Sequence, residues 1–375
     1  MTARLLRLGW LLAVLACVAV PAQGAEIQVG LNLTHADIGG AEEACAAGAV
    51  QNIAPGFGIA ANYRSGTIRG ATIGAMCALA SSRATAVRLM VWYGVARDAE
   101  AQADARRRLG VIDIDDAEAL AGLKANLQAF LSDAAQAGMR MAIIAFGPHG
   151  RANPACGSPA GTCFDPSTAE RSARTIAGIV RQLVEPQGLE VLVDLNNEIC
   201  PGTNPGLAFN RNAENVAGTI VEQFRRDGPA ARLGFSCTAA STWELQRRLD
   251  GIAAMYESAS LAPGFVDVHL YRVHGEAEAM LVAADRFAER RGLRLMIGET
   301  SLGSPEAETA LRLHREGRLP SLAAILFWPK RADSPCAVTH RPWEASAWAG
   351  AFATSALPRA PTPPAPPHGV CRSAP

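Results

Sequence analysis

The chain has 375 residues, 49% hydrophobic and 19% charged, with 35 basic and 35 acidic side chains and a formal net charge of zero. That length supports one large core or two small ones. The balanced charge, without any basic block, excludes the electrostatic footprint of a nucleic-acid binder and gives no polybasic stretch for anionic lipid.

The first 30 residues read MTARLLRLGWLLAVLACVAVPAQGAEIQVG. Arg4 and Arg7 precede an apolar run to Val20, and small residues follow. This is the pattern of a secretory signal, with cleavage after Gly24 or Ala25, and its apolar part is too short for a comfortable spanning helix. Residues 1–25 are therefore expected to be a signal peptide, and the mature chain an exported, periplasmic or secreted protein. Leu15-Ala16-Cys17 leaves open a lipoprotein signal, with a lipid anchor at Cys17. No other segment is apolar enough to span a membrane.

Eight β-like runs follow: 26–33, 85–93, 139–146, 189–196, 231–236, 265–271, 293–299 and 322–328. Most are near-continuous in Val, Ile, Leu and Met rather than alternating, which suits parallel strands buried on both faces. Between them lie amphipathic helical patterns at 116–138, 167–184, 212–228, 242–258 and 276–292, the first ending at Gly138. Strands alternating with helices predict an α/β fold, a single-domain (β/α)₈ TIM barrel over 26–357. An open doubly wound sheet is the alternative, but no phosphate-binding glycine fingerprint follows the first strand. Residues 34–70 read as a long Gly- and Ala-rich connection outside the pattern. Residues 358–375 are a Pro-rich tail that cannot pack as an element. Nothing in the sequence points beyond a monomer.

Setting Cys17 aside, eight cysteines remain, an even number that favours disulfides in an exported chain. Sequence alone leaves about 105 pairings. The tight loop CGSPAGTC points to Cys156–Cys163, and Cys371 is expected to pin the tail, with Cys336 as the suggested partner. No C-x-x-C pair exists, which argues against a thiolate metal site.

In such a barrel the loops after the strands' C-terminal ends build the active site. The polar residues at those places are Arg88 on the second strand, His149 after the third, Asn197-Glu198 after the fourth, His269 and Tyr271 on one face of the sixth, Glu299 on the seventh and Trp328 on the eighth. Two carboxylates across a barrel mouth are what glycosidic cleavage requires, one as acid and the other as nucleophile or base. In this order, each at the expected strand end, the set resembles the retaining (β/α)₈ glycoside hydrolases of clan A, the cellulase-like family five being the nearest type.

The resemblance implies a poly- or oligosaccharide substrate, no cofactor and no catalytic metal. It implies Glu198 as acid/base, Glu299 as nucleophile and Asn197 as the donor to the sugar 2-hydroxyl. Arg88 and Tyr271 would hold Glu299 ionised, His269 would sit near the acid, Trp328 would floor the cleaved sugar's site, and His149 would stand for the family's strand-three histidine. The acid should then have a raised pKa and the nucleophile should stay charged. One departure is visible: Ile199-Cys200 follows the Asn-Glu pair where the family places proline. Cys200 and Cys237 end adjacent strands and are expected to bond, bracing the loop of the acid. Asp194, inside an apolar run, reads as a structural carboxylate that must be paired. Two further readings stay open: a non-catalytic glycan-binding envelope protein on the same barrel, and a metal-dependent barrel hydrolase using His35, Asp37, His149, His269 or His274, whose spacings form no familiar ligand motif.

Overall fold

Parallel pairing carried all the way round a ring decides the architecture. In the computed structural model the strands are β1 (Gln28–Leu33), β2 (Ala86–Gly94), β3 (Ile112–Asp113), β4 (Met141–Pro148), β5 (Glu190–Asp194), β6 (Arg232–Thr238), β7 (Phe265–Leu270), β8 (Arg294–Ser301) and β9 (Leu322–Trp328). Their order is β1-β9-β8-β7-β6-β5-β4-β2, and β1 pairs β2 to close it. The closing register sets Asn32 opposite Arg88. An eight-stranded (β/α)₈ barrel results, and the open-sheet alternative is excluded. The two-residue β3, too short to show a period in the sequence, only extends the end of β2 through Tyr93 and Gly94. The structure describes residues 27–36, 58–95, 110–156, 162–201, 208–227, 232–273, 275–301, 304–328 and 370–372. The signal segment, Asp37, Cys45, His274, Cys336, Trp343 and most of the Pro-rich tail lie outside them.

The helices are α1 (Ile59–Asn62), α2 (Gly66–Ser81), α3 (Ala117–Gln136), α4 (Pro166–Val180), α5 (Ala208–Asp227), α6 (Thr242–Ser258), α7 (Ala277–Arg291) and α8 (Pro305–Arg315). Caps explain several boundaries. Asp116 accepts from the Glu118 and Ala119 amides to start α3, and Asp165 accepts from Ser167 and Thr168 ahead of Pro166 to start α4. The stretch 34–70 is not all connection, since α1 and the start of α2 lie in it. Glycines diluted the pattern of α2, yet Ile68, Thr72, Ala75, Met76 and Leu79 bury one face at helical spacing.

Two apolar layers form the core. Between strands and helices lies the larger one. Inside the ring, Ala86, Met141, Ile143, Leu192, Phe265, Met296, Ala324 and Leu326 plug the lower barrel. Two residues further along the same strands, on the same inward face, the filling turns polar. Arg88 succeeds Ala86, Asp194 succeeds Leu192, and Asp267 succeeds Phe265, all fully buried.

Three disulfides join described residues: Cys77–Cys371, Cys156–Cys163 and Cys200–Cys237. The second and third are as expected. Cys371 does not bond Cys336. The short turn Val370–Arg372 lies on the outside of the barrel, where Val370 and Cys371 pack against the core and Cys77 of α2 is at hand. Disulfides fit an oxidising compartment. No described helix is long and apolar enough to cross a membrane.

Candidate active site

Glu198 stands four residues past the end of β5, in a tightly determined loop. The Asn197 amide donates to the Phe146 carbonyl at 2.9 Å, and the Glu198 amide donates to the Ser236 hydroxyl at 2.9 Å. Glu198 itself has φ of +59°, in the left-handed region. For a glutamate that conformation costs roughly 1–2 kcal/mol and persists only where neighbours over-determine it. Here they do, because Cys200, two residues on, is tied to Cys237 at the end of β6.

Glu299 is aimed by a bulge. Asp267 pairs with Met296 and His269 with Glu299, so β8 spends one extra residue against β7. The extra peptide is at Gly298. Its N–H donates to Asp267 Oδ1 at 2.5 Å, and its carbonyl accepts from Asn32 Nδ2 at 2.7 Å. Both bonds come from side chains inside the barrel, so the ladder groups freed by the bulge are satisfied.

Arg88 links the two halves of the site. Its Nη1 lies 2.7 Å from Glu299 Oε1 and 3.0 Å from Asn32 Oδ1, and its Nη2 lies 2.9 Å from Asp194 Oδ2 and 2.5 Å from Asn197 Oδ1. Burial opposes the guanidinium charge, and Glu299, Asp267 and Asp194 more than restore it. Asp194 is thus the paired structural carboxylate expected of it.

One carboxylate oxygen of Glu198, one of Glu299 and a His269 ring nitrogen lie within 4.8 Å of one another. Glu299 is buried and holds a donor on each oxygen, Arg88 on one and Tyr271 Oη at 3.0 Å on the other. Glu198 is 38% exposed and meets His269 Nδ1 at 2.8 Å through one oxygen. His269 Nδ1 is also 3.6 Å from Glu299 Oε1.

The proton distribution differs from the expectation of a raised acid beside a charged nucleophile. Burial pushes Glu198 up, but the His269 hydrogen bond and charge outweigh it, and its carboxyl is lowered overall. Burial opposes charge on His269 too, yet Glu299 and Asp267 raise it to about 10. Both directions favour the imidazole side for the proton of the 2.8 Å contact, with Glu198 as its partner. Burial leaves Glu299 above the ordinary carboxylate range, although His269 and Arg88 pull it back.

Arg88, Asn197, Glu198, His269, Tyr271 and Glu299 meet in one cluster. Trp328 ends β9, half-buried, with its Cα opposite Ser301, two residues beyond Glu299. His149 follows β4, where its amide donates to the Tyr93 carbonyl. Asn32, Ser236 and Asp267 were missed in the sequence. Asp267 had a usable signal, since it lies two residues before His269 in FVDVHLY and so on the same inward face.

By distance alone, Glu198, His269 and Glu299 could hold a metal ion. The donor set argues otherwise. Both Glu299 oxygens already accept from donors, and a further cation would stand beside the Arg88 guanidinium.

Neither a family profile nor any curated protein sequence matches the chain. Among solved structures it is similar to a GH26 β-mannanase from Bacteroides ovatus, at 12% identity over 92% of this chain and 94% of that one, with a TM-score of 0.48. It is also similar to the endoglucanase Cel5A from Pseudomonas stutzeri, at 14% identity, 88% and 95% coverage and a TM-score of 0.47. A GH53 catalytic domain from Ignisphaera aggregans gives 12% identity, 87% and 92% coverage and a TM-score of 0.47. Likeness at this distance adds nothing to the barrel already traced by the strand pairing.

Proposed function

We propose that this chain is an exported, retaining glycoside hydrolase of the clan A type, cleaving O-glycosidic bonds of a poly- or oligosaccharide. One observation supports this above the rest: one carboxylate oxygen of Glu198 and one of Glu299 lie within 4.8 Å of each other, so the two groups are close neighbours across the mouth. Retaining enzymes set their carboxyl groups about 5–5.5 Å apart, whereas inverting enzymes leave about 6.5–9.5 Å for a water.

In this reading Glu198 protonates the departing glycosidic oxygen while Glu299 attacks the anomeric carbon. The carbon–oxygen bond breaks with its electron pair going to the leaving group, and a glycosyl ester forms on Glu299. Water then enters, gives a proton to Glu198 and attacks the anomeric carbon of this ester, and the bond from that carbon to the Glu299 oxygen breaks, which frees the carboxylate. The exposed, one-sided Glu198 suits the proton-transfer role, and the buried Glu299 with its two donors suits the nucleophile. Asn197 Oδ1 is committed to Arg88, which leaves its amide nitrogen to donate to the sugar 2-hydroxyl. Trp328 offers a rigid apolar plane for the cleaved sugar, and His149 flanks the mouth.

The test is a glycan panel with anomeric configuration followed by NMR. Retention at the cleaved bond supports the reading, and a first product of inverted configuration overturns it. Glu198→Gln and Glu299→Gln should stay folded while losing turnover, and azide should restore the Glu198 variant as a glycosyl azide.

A further inference from the structure

Three buried polar atoms beneath the carboxylate pair lack a hydrogen-bond partner: Arg88 Nε, His269 Nε2 and Asp267 Oδ2. They face one another. Asp267 Oδ2 lies 3.6 Å from His269 Nε2 and 3.7 Å from Arg88 Nε, and all three side chains are fully buried. An unpaired buried carboxylate oxygen is costly. Its two nearest polar neighbours can only donate: Arg88 Nε always, and His269 Nε2 once Nδ1 is engaged with Glu198 as an imidazolium.

The other Asp267 oxygen takes the Gly298 N–H at the bulge. Gly298 has no side chain for a reason, since a Cβ there would overlap the Asp267 carboxylate. One carboxylate therefore touches the peptide just before Glu299, the cation that bonds Glu299, and the ring that bonds Glu198.

We propose that Asp267 is a positioning residue for both catalytic carboxylates: it fixes the ring plane of His269 from below, keeps the shared His269–Glu198 proton in place, and anchors the bulge that aims Glu299. This deepens the glycosidase reading and rests on it for the roles of Glu198 and Glu299. The groups facing His269 are Glu198 from the β5 loop, Asp267 on its own strand and Glu299 on β8. Arg88 of β2 stands behind Asp267 and Glu299, and Tyr271 bonds Glu299. Asp267 is the only one of the three carboxylates that meets the ring at Nε2. Removing its charge lowers the pH at which the pair loses its proton, whichever partner holds that proton.

Asp267→Asn separates charge from shape. The asparagine carbonyl still accepts the Gly298 N–H, so the bulge survives, while the face toward His269 becomes neutral. Histidine side-chain ¹⁵N NMR on the full chain reads the ring directly and needs no substrate. In the wild type both His269 nitrogens should remain protonated through pH 8. In Asp267→Asn the ring should titrate at least one unit lower, a tenfold or greater loss of proton affinity. The alkaline limb of kcat/KM should move down with it. A wild-type ring already neutral at pH 7, or a ring that titrates identically in the variant, overturns the proposal. If the variant does not fold, the wild-type measurement alone decides. A wild type with the expected ring signals but no turnover of any glycoside sinks the glycosidase reading and leaves the role of Asp267 toward His269 intact.

Discussion

Arg88 and Glu299 are 211 residues apart in sequence and 2.7 Å apart in space, Nη1 to Oε1, inside the barrel. The same guanidinium holds Asp194 and Asn197, so it joins the strand of one catalytic candidate to the loop of the other. Among the described residues it is the one arginine or lysine paired with these three buried carboxylates. Removing it leaves them uncompensated in a low-dielectric interior, where breaking a buried pair typically costs about 3–5 kcal/mol. Arg88→Met should lower the unfolding free energy by that order, as read from urea titration. A loss below about 1 kcal/mol would show that the network relaxes without it.

The Cys200–Cys237 disulfide has a local as well as a global consequence. Cross-links of this kind contribute about 2–4 kcal/mol, largely by restricting the unfolded chain. This one also closes on the loop that keeps Glu198 at φ +59°. Replacing both cysteines with alanine should lower the urea midpoint and also slow turnover of substrates with poor leaving groups, which depend on the acid. Substrates with activated leaving groups should suffer less. Equal loss on both classes would mean that the disulfide acts on stability alone.

The barrel was legible because eight apolar runs of strand length recur between helical patterns, and only a parallel, doubly covered sheet explains such runs. Glu198, Glu299, Arg88, His269 and Tyr271 were legible because each ends or lines a strand where polar residues are out of place. Asn32 and Asp267 were not, although both support the site. Asn32 sits in a short first strand whose inward direction no pattern revealed, and its partners Gly298 and Phe327 lie 266 and 295 residues away. The bulge in β8 is likewise invisible in MIGETS, since it depends on register against two neighbours. Cys371 found Cys77 rather than Cys336 because the pairing follows where the tail docks, which spacing does not encode.

Gly298 is the residue on which that bulge depends. A methyl group there would overlap the fully buried Asp267 carboxylate, so that side chain must shift. Overpacking of this sort costs about 1–3 kcal/mol, and here it also displaces the peptide that aims Glu299. Gly298→Ala should lose stability by that order and lose most turnover, with kcat falling more than KM rises. An alanine variant of normal rate would show that Asp267 moves freely.

The pH dependence of kcat/KM follows from the two carboxylates' surroundings. In the proposed mechanism Glu299 must be ionised to attack, and burial holds it above the ordinary carboxylate range, so the acid limb should lie above roughly pH 4.3. The His269–Glu198 pair must retain its proton for the leaving group, and His269 is raised to about 10. Because the two groups share one hydrogen bond, the alkaline limb belongs to the pair rather than to either residue. It should fall between roughly 6.5, the ordinary histidine value, and about 10. The sign for folding is the same on this side: a raised histidine stabilises fully below roughly pH 6.5, and that contribution is lost as pH rises through its folded-state value. Rates across a pH series in constant ionic strength should show both limbs. On a substrate with an activated leaving group, where residual turnover of Glu198→Gln can be followed, the variant should lack the alkaline limb, since no carboxyl then shares the proton. An alkaline limb below the ordinary histidine value would mean that burial wins over Asp267, Glu198 and Glu299 at the ring, and that the leaving group draws its proton from elsewhere.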